Sequence, residues 1–163
     1  AMLESEADLI CVTGGPSVGL EDHAPTLLEE IGTLLVHGIP MRPAAPTGFG
    51  LIGLRKVFLL PGNPVSCLSA YDCFVGLAIR RLGGLSEDWP YRKTKLQLRS
   101  KIASQIGRIE YVRLQIQEGK AEPIASGGAS ILSSTTRADG FLLTQESSEG
   151  FAEGEEVELW LYD

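Results

Sequence analysis

The sequence predicts an α/β domain with parallel strands, followed by a small all-β, barrel-like domain. In the first part, two short apolar runs, residues 7–12 and 56–60, each end at a glycine-rich turn, and apolar residues at helical spacing follow each turn. Such strand–turn–helix units are typical of a parallel sheet that is buried on both faces. After Trp89 and Pro90, apolar and polar residues alternate instead, which indicates half-buried antiparallel strands.

Two amphipathic helices are expected in the first domain, which we place at residues 1–85. The first helix begins near residue 23, and the second covers residues 65–82, with cations in its last turn and glycines after it. The apolar residues assigned to the first helix are Leu27, Leu28, Ile31, Leu34 and Leu35. Residues 39–53 are rich in Pro and Gly and show no period, so we expect a loop or a loosely extended crossing there.

The β domain is expected over residues 86–163, with four or five strands. The expected strands are residues 95–99, 111–117, 141–144 and 157–162, and the expected turns are residues 118–119 and 153–154.

Composition and charge exclude several classes of protein. The 163 residues are 44% hydrophobic, enough to bury a core, and no apolar run approaches the roughly 20 residues of a membrane span. Three cysteines lack metal-ligand spacing, which suits a reducing compartment. A formal net charge of −7 argues against nucleic-acid binding. We therefore expect a cytoplasmic protein with no membrane or nucleic-acid partner.

One stretch departs from the acidic average. Residues 92–113 hold seven basic residues and one acid, Glu110. Two interpretations stand at this point: a solvated charged face, or a docking edge for phosphate.

The first glycine-rich turn suits an anion. Gly14, Gly15 and Gly19 allow positive φ angles and a close approach of backbone N–H groups to a ligand, and Ser17 adds a hydroxyl donor. A purely structural βα turn has the same pattern. Asp22 follows, and it either caps the next helix or holds a divalent cation or a water molecule.

The second turn also opens a helix. Asn63 is a favoured N-cap, Pro64 a favoured first helical residue, and Gly62 frees the backbone before them. Because the carboxyl ends of parallel strands share one edge of a sheet, we expect the two turns to face the same ligand.

Together these residues resemble the molybdopterin molybdenumtransferases of the MoeA family, which includes the E domain of gephyrin. Residues 13–22 are similar to the family's S-G-G-V-S-V-G-x-x-D, and residues 61–66 match its P-G-N-P-V-S. Residues 42–46 resemble K-P-G-K-P, and residues 128–140 resemble a stretch with G-S-G-M-L-S-S and R-A-N-G. The resemblance runs from about residue 7 to 162.

The resemblance implies a partial molybdopterin-binding three-layer fold. It also implies an enzyme that inserts molybdate into adenylylated molybdopterin and releases AMP, with a divalent cation such as Mg²⁺. Asp22 would act in catalysis and hold the metal, Arg42 would hold a dianion such as molybdate, and Arg113 would face the cleft. Ligand binding is assigned to these two arginines, Arg42 and Arg113, and to Gly14, Gly15, Ser17, Gly19, Pro61, Gly62, Asn63, Pro64 and Ser66.

Several features depart from the family pattern. Pro16 replaces a valine and removes a possible donor, Ala45 replaces a lysine, and Ala129 replaces a serine. The family's first strand, with its T-G-D-E-L-type turn, and two further domains are missing.

We therefore expect the C-terminal half of a longer, homodimeric enzyme that is inactive by itself. The alternatives are a non-catalytic ligand-binding or scaffolding module of the gephyrin type, and an unrelated Rossmann-like nucleotide binder.

Overall fold

The computed structural model describes residues 6–14, 23–124 and 133–162. The chain forms two compact units, the first from Ala1–Ile39 and Ala44–Glu87, the second from Pro40–Pro43 and Asp88–Asp163. Within the described ranges, no helix is long and apolar enough to cross a membrane.

The described elements are mostly short strands. The strands are β1 Leu9–Thr13, β2 Thr33–His37, β3 Met41–Arg42, β4 Gly48–Ile52, β5 Arg55–Leu60, β6 Arg92–Gln97, β7 Ile102–Ala103, β8 Ile109–Gln117, β9 Lys120–Pro123, β10 Gly140–Leu143, β11 Gly150–Phe151 and β12 Glu156–Leu161. The helices are α1 His23–Ile31, α2 Pro64–Ala70, α3 Gly76–Leu82 and α4 Ser133–Thr136, and a π-helical turn, Tyr71–Val75, joins α2 to α3.

The first unit is built on a four-stranded sheet with the order β1-β5-β4-β2. The two predicted strands, β1 and β5, pair in parallel, as expected, whereas β4 runs antiparallel to both of its neighbours. Ile10, Val57 and Leu59 project from one face of the sheet and pack with Leu28 of α1. Burial of these side chains holds the helix on the sheet.

The predicted first helix is too long. It ends at Ile31, and Leu34 and Leu35 lie in β2 instead. Gly32 is the reason, because a Cβ there would collide with the backbone oxygen of Leu51 in β4. The chain turns at this close approach and continues as a strand.

The prediction of a loop over residues 39–53 is also wrong. The segment contains β3 and β4. Gly48 and Gly50 suggest a loop in the sequence, yet both are strand residues at crowded positions. A Cβ on Gly50 would collide with the backbone of β2 and come within 2.8 Å of Leu28. These glycines let the neighbouring layers approach, as glycine often does inside strands.

The predicted second helix is confirmed, and it spans α2, the π-helical turn and α3 without interruption. Arg80 and Arg81 occupy the last turn of α3, and Gly83 caps it, as expected. The π-helical turn was not visible in the sequence.

The second unit contains a sheet with the order β3-β8-β10-β12-β6, with β9 paired to β8, and a separate β7–β11 pair. The four predicted strands correspond to β6, β8, β10 and β12. The unit has more strands than the four or five expected. One of them, β3, comes from the segment predicted to be a loop and pairs in parallel with β8.

The two faces of this sheet bury different residues. One face carries an aliphatic core that includes Leu114, Leu142 and Leu159. The other face carries an aromatic cluster around Phe141, whose side chain is fully buried. The rings that contact Phe141 are Trp89, Tyr91, Tyr111, Trp160 and Tyr162. Tyr111 stacks on Phe141 with the ring centroids 4.4 Å apart.

We expect Phe141→Ala to destabilise the second unit by about 3–5 kcal/mol, because the change leaves a cavity among five rings. Both tryptophans of the chain contact Phe141 or its neighbours, so tryptophan fluorescence during urea unfolding measures this loss. Leu54→Ala is the control, since Leu54 is 91% exposed and its truncation should change the free energy by no more than about 0.5 kcal/mol. Equal effects of the two substitutions would contradict this assignment.

Candidate functional site

The two glycine-rich turns meet at the carboxyl ends of β1 and β5. Thr13 and Leu60 are partners in the last rung of the parallel ladder, and the Gly14 amide donates to the Leu60 carbonyl over 3.3 Å. Gly14 has a φ of 75°, and a Cβ on Gly62 would lie 3.2 Å from the Gly14 Cα. The two backbones therefore touch, and the absence of a side chain at Gly62 permits the contact.

The second turn starts helix α2 in the expected way, with one difference. Asn63 is the N-cap, with extended backbone angles, and Pro64 follows it, but the Asn63 side chain makes no capping hydrogen bond. The Cys67 amide makes the first helical bond, 2.9 Å to the Asn63 carbonyl. By helix geometry, the amides of Val65 and Ser66 have no acceptor within the helix. The exposed Asn63 side chain thus lies next to backbone amides that have no acceptor within the helix.

Pro61 and Ser66 differ from the rest of this turn, because both are buried, whereas Gly62, Asn63 and Pro64 are exposed. Ser66 is only 4% exposed, in the first turn of α2. The exposed part of the turn, residues 62–64, is the part that can meet a ligand directly.

The rest of the first turn lies outside the described residues. Gly15, Ser17, Gly19 and Asp22 belong to this group, so their predicted roles stay predictions. Over residues 6–14, 23–124 and 133–162, no group of three or more His, Cys, Asp or Glu side chains is arranged to hold a metal ion.

Arg42 ends β3 in the second unit, and its side chain is exposed. It pairs in register with Glu110 of β8. After Pro43, Ala44 has a φ of 123°, although it is buried. Glycine suits this conformation far better than alanine, and glycine is the residue at this place in K-P-G-K-P. The positive φ of Ala44 therefore carries a local cost in backbone strain.

Arg113 lies three residues after Glu110 on the same strand, but it is buried, at 6% exposed. Burial lowers the pKa of its guanidinium, while the nearby hydroxyls of Tyr162 and Tyr111 oppose that shift. Those hydroxyls are 2.6 Å apart and hydrogen-bonded. Because an arginine pKa lies far above neutrality, Arg113 keeps its charge. A positive charge is therefore held at the edge of the aromatic cluster.

The sequence pattern did not single out Tyr111 and Tyr162 as neighbours of Arg113. The alternation of side chains along β8 could have identified one of these neighbours, since residues 111 and 113 must share one face of the strand. The partner ring, Tyr162, comes from a distant part of the chain.

The structure favours a solvated face for the basic stretch over a docking edge. Four of its seven cations are paired with carboxylates, mostly from other strands and turns. The pairs are Lys93 with Glu158 at 2.9 Å, Lys95 with Glu156 at 4.0 Å, Arg99 with Glu118 at 3.2 Å and Arg108 with Glu110 at 2.6 Å. Pairing of this kind leaves little net charge for a phosphate.

Gly62→Val should lower the free energy of unfolding of the first unit by about 1–3 kcal/mol, because the new side chain must push the two turns apart. Chemical denaturation measures the change. Gly83→Val is the matched control, since a Cβ at Gly83 meets its nearest atom at 3.4 Å, and we expect less than about 1 kcal/mol there. A Gly62→Val protein as stable as the wild type would show that the turns do not need their close contact.

Known proteins match this arrangement over nearly the whole chain. A family described as "Probable molybdopterin binding domain" matches residues 1–81, and one described as "MoeA C-terminal region (domain IV)" matches residues 95–162. A Methanocaldococcus jannaschii protein named for molybdopterin biosynthesis is 35% identical over 96% of this chain. The molybdopterin molybdenumtransferase of Haemophilus influenzae is 28% identical, also over 96% of the chain.

Solved structures agree with the sequence matches. A molybdenum cofactor biosynthesis protein from Pyrococcus furiosus superposes with a TM-score of 0.76 and 32% identity, over 96% of this chain and 50% of its own. The chain spans 37% of the Methanocaldococcus protein and 40% of the Haemophilus enzyme. Because both family descriptions, the curated relatives and the solved structure point to one family, the chain belongs to the MoeA family.

Proposed function

We propose that this chain supplies the pterin-holding C-terminal part of a molybdopterin molybdenumtransferase. In this proposal the whole enzyme inserts molybdate into adenylylated molybdopterin and releases AMP. The observation that carries the proposal is the contact between Gly14 and Gly62 at the ends of two parallel strands. Ligands of α/β sheets bind outside this edge. The proposal includes a cytoplasmic homodimer, as the family resemblance implies.

The paired turns suit the phosphate end of a pterin substrate. Backbone N–H groups that approach a ligand without an intervening side chain form a cradle for anions. The backbone amides of Gly62 and Asn63 lie in the exposed part of the second turn, and the side-chain amide of Asn63 makes no capping bond. These donors orient an anionic group by hydrogen bonds and need no cationic side chain.

Arg42 is our proposed ligand for molybdate. Within the part of the chain that the structure describes, Glu110 forms an ion pair with Arg108, and the Arg42 side chain has no ion pair. Its planar guanidinium can donate two parallel hydrogen bonds to the oxygens of a dianion. Glu110 is half-buried and already paired, so it competes only weakly for Arg42.

Asp22 is the residue that we propose for a divalent cation or for an attacking water. In this proposal the water attacks a phosphorus atom of the phosphoanhydride, a P–O bond breaks, and AMP leaves. The residues that the structure describes contribute by holding and orienting the charged groups around that bond.

Arg42→Ala should weaken molybdate binding about tenfold or more, since a hydrogen bond to a charged group contributes about 1.5–3 kcal/mol. Isothermal titration of the chain with molybdate measures the affinity, with AMP as a second ligand. Arg42→Lys should retain part of the affinity because it keeps the charge but loses the paired donors. Lys95→Ala is the control, as Lys95 is exposed and lies beside Glu156. Unchanged molybdate affinity in Arg42→Ala would exclude the assigned role, and a wild-type chain that binds neither ligand would count against a self-sufficient site.

Asp22→Ala, made in the full-length protein, should lower the rate of cofactor assembly at least about tenfold if the carboxylate positions a metal or a water. Asp8→Ala is the control, because Asp8 is exposed and only its backbone oxygen bonds to β5. Assembly at the wild-type rate in Asp22→Ala would leave Asp22 with a capping role at most.

A further inference from the structure

Three charged side chains lie together where strands β3 and β8 pair in the second unit. Arg42 of β3 is in register with Glu110 of β8. Residues in register on neighbouring strands, about 4.8 Å apart, project from the same face of a sheet. Arg108 contacts the same carboxylate, with its Nε 2.6 Å from Glu110 Oε1. Two guanidinium groups therefore lie beside one carboxylate, and one positive charge of this cluster remains unbalanced.

The backbone of β8 fixes the position of the carboxylate. The Glu110 amide donates to Thr144 Oγ1 over 2.9 Å, and the Thr144 amide donates to the Glu110 carbonyl over 3.1 Å. Thr144 is buried, and its hydroxyl also bonds to the Ser104 hydroxyl. The side chains of Arg108 and Glu110 are only 25% and 16% exposed, whereas the other ion pairs of the basic stretch are more exposed. Solvent and salt therefore screen the charges of this cluster less than those of the other pairs.

Both arginines keep hydrogen-bond donors for a ligand. Arg108 Nε is close to Glu110 Oε1, but it is a buried donor without a hydrogen bond to any described residue. The contact is thus an ion pair and not a forked pair of hydrogen bonds. Arg42 likewise makes no side-chain hydrogen bond within residues 6–14, 23–124 and 133–162. A guanidinium offers five N–H donors, and parallel pairs of them match the oxygens of an oxyanion.

Arg113 does not share this position, although it lies on the same strand. Side chains alternate along a strand, so Glu110 and Arg113, three positions apart, project from opposite faces of β8. Arg113 is buried near the hydroxyls of Tyr111 and Tyr162 on the other face. Arg108 is therefore the cation of β8 and its preceding turn that can act together with Arg42.

We propose that Arg42 and Arg108 bind one tetrahedral dianion together, and that Glu110 limits the affinity by competing for Arg108. The inference rests on the proposed function, since it takes molybdate as the dianion. Without a ligand, Glu110 neutralises Arg108. A bound dianion carries two negative charges against the single charge of the carboxylate, and the terminal amino groups of Arg108 donate to it.

The test is isothermal titration of the full chain with molybdate. Arg108→Gln should weaken binding about tenfold or more, because a charged hydrogen-bond donor is lost. Glu110→Gln should tighten binding at least about threefold, because a negative charge beside the dianion is removed. A misfolded protein cannot bind more tightly, so this second result does not depend on the stability of Arg108→Gln. Arg99→Gln and Glu118→Gln are the matched controls, since this pair, 3.2 Å apart, lies elsewhere in the same unit, and both should bind as the wild type does.

Arg108→Lys keeps the charge opposite Glu110 and should retain part of the affinity, with circular dichroism as the check that each variant folds. Folded Arg108→Gln with wild-type affinity, or weaker binding in Glu110→Gln, would overturn the inference. If Arg42→Ala alone lost affinity, the proposed role of Arg42 would stand and the shared site would not. A wild-type chain that binds AMP but no molybdate would also overturn the shared site, while the proposed role of the glycine turns would remain supported.

Discussion

The contact between the backbones of Gly14 and Gly62 is the constraint on which the rest of the first unit depends. Parallel pairing brings β1 and β5 to the same edge, and the absence of a Cβ at Gly62 lets the backbones of Gly14 and Gly62 approach without crowding. Below this contact, β5 and the start of α2 bury Leu59, Leu60 and Val65 almost completely. The closely packed apolar core supports the strands and the helix, and with them Gly14 and residues 62–64.

The sequence predicted those helices and strands whose own residues show a clear hydrophobic period. Both parallel strands, the long second helix and the four main strands of the second unit have a clear period, and the structure contains them. Residues 32–52 were misread because their structure depends on neighbours. Gly32 and Gly50 break a local pattern, but each is required by the backbone of an adjacent strand. Leu34 and Leu35 fit helical spacing by coincidence, and only the position of β4 makes them part of a strand.

The candidate site shows the same division. The start of α2 after Asn63 and the contact of Gly14 with Gly62 follow from short motifs, so the sequence was sufficient to predict them, although the Asn63 side chain makes no capping bond. The surroundings of the charged residues were not predictable, because register between distant strands decides them. Lys93 finds Glu158, 65 residues away, and Tyr111 finds Tyr162, 51 residues away. A stretch that looks strongly basic in sequence therefore has four of its seven cations paired with carboxylates in the fold.

Strand β8 explains why two arginines of one unit suit different roles. Arg113 is buried near the hydroxyls of Tyr111 and Tyr162, so its charge is largely withdrawn from solvent. Arg42 lies opposite Glu110 at the end of a two-residue strand and is exposed, so its guanidinium can move to meet a ligand. A fixed buried charge contributes mainly a constant electric field, whereas an exposed guanidinium can form direct hydrogen bonds. This difference is why direct binding of molybdate is better assigned to Arg42 than to Arg113.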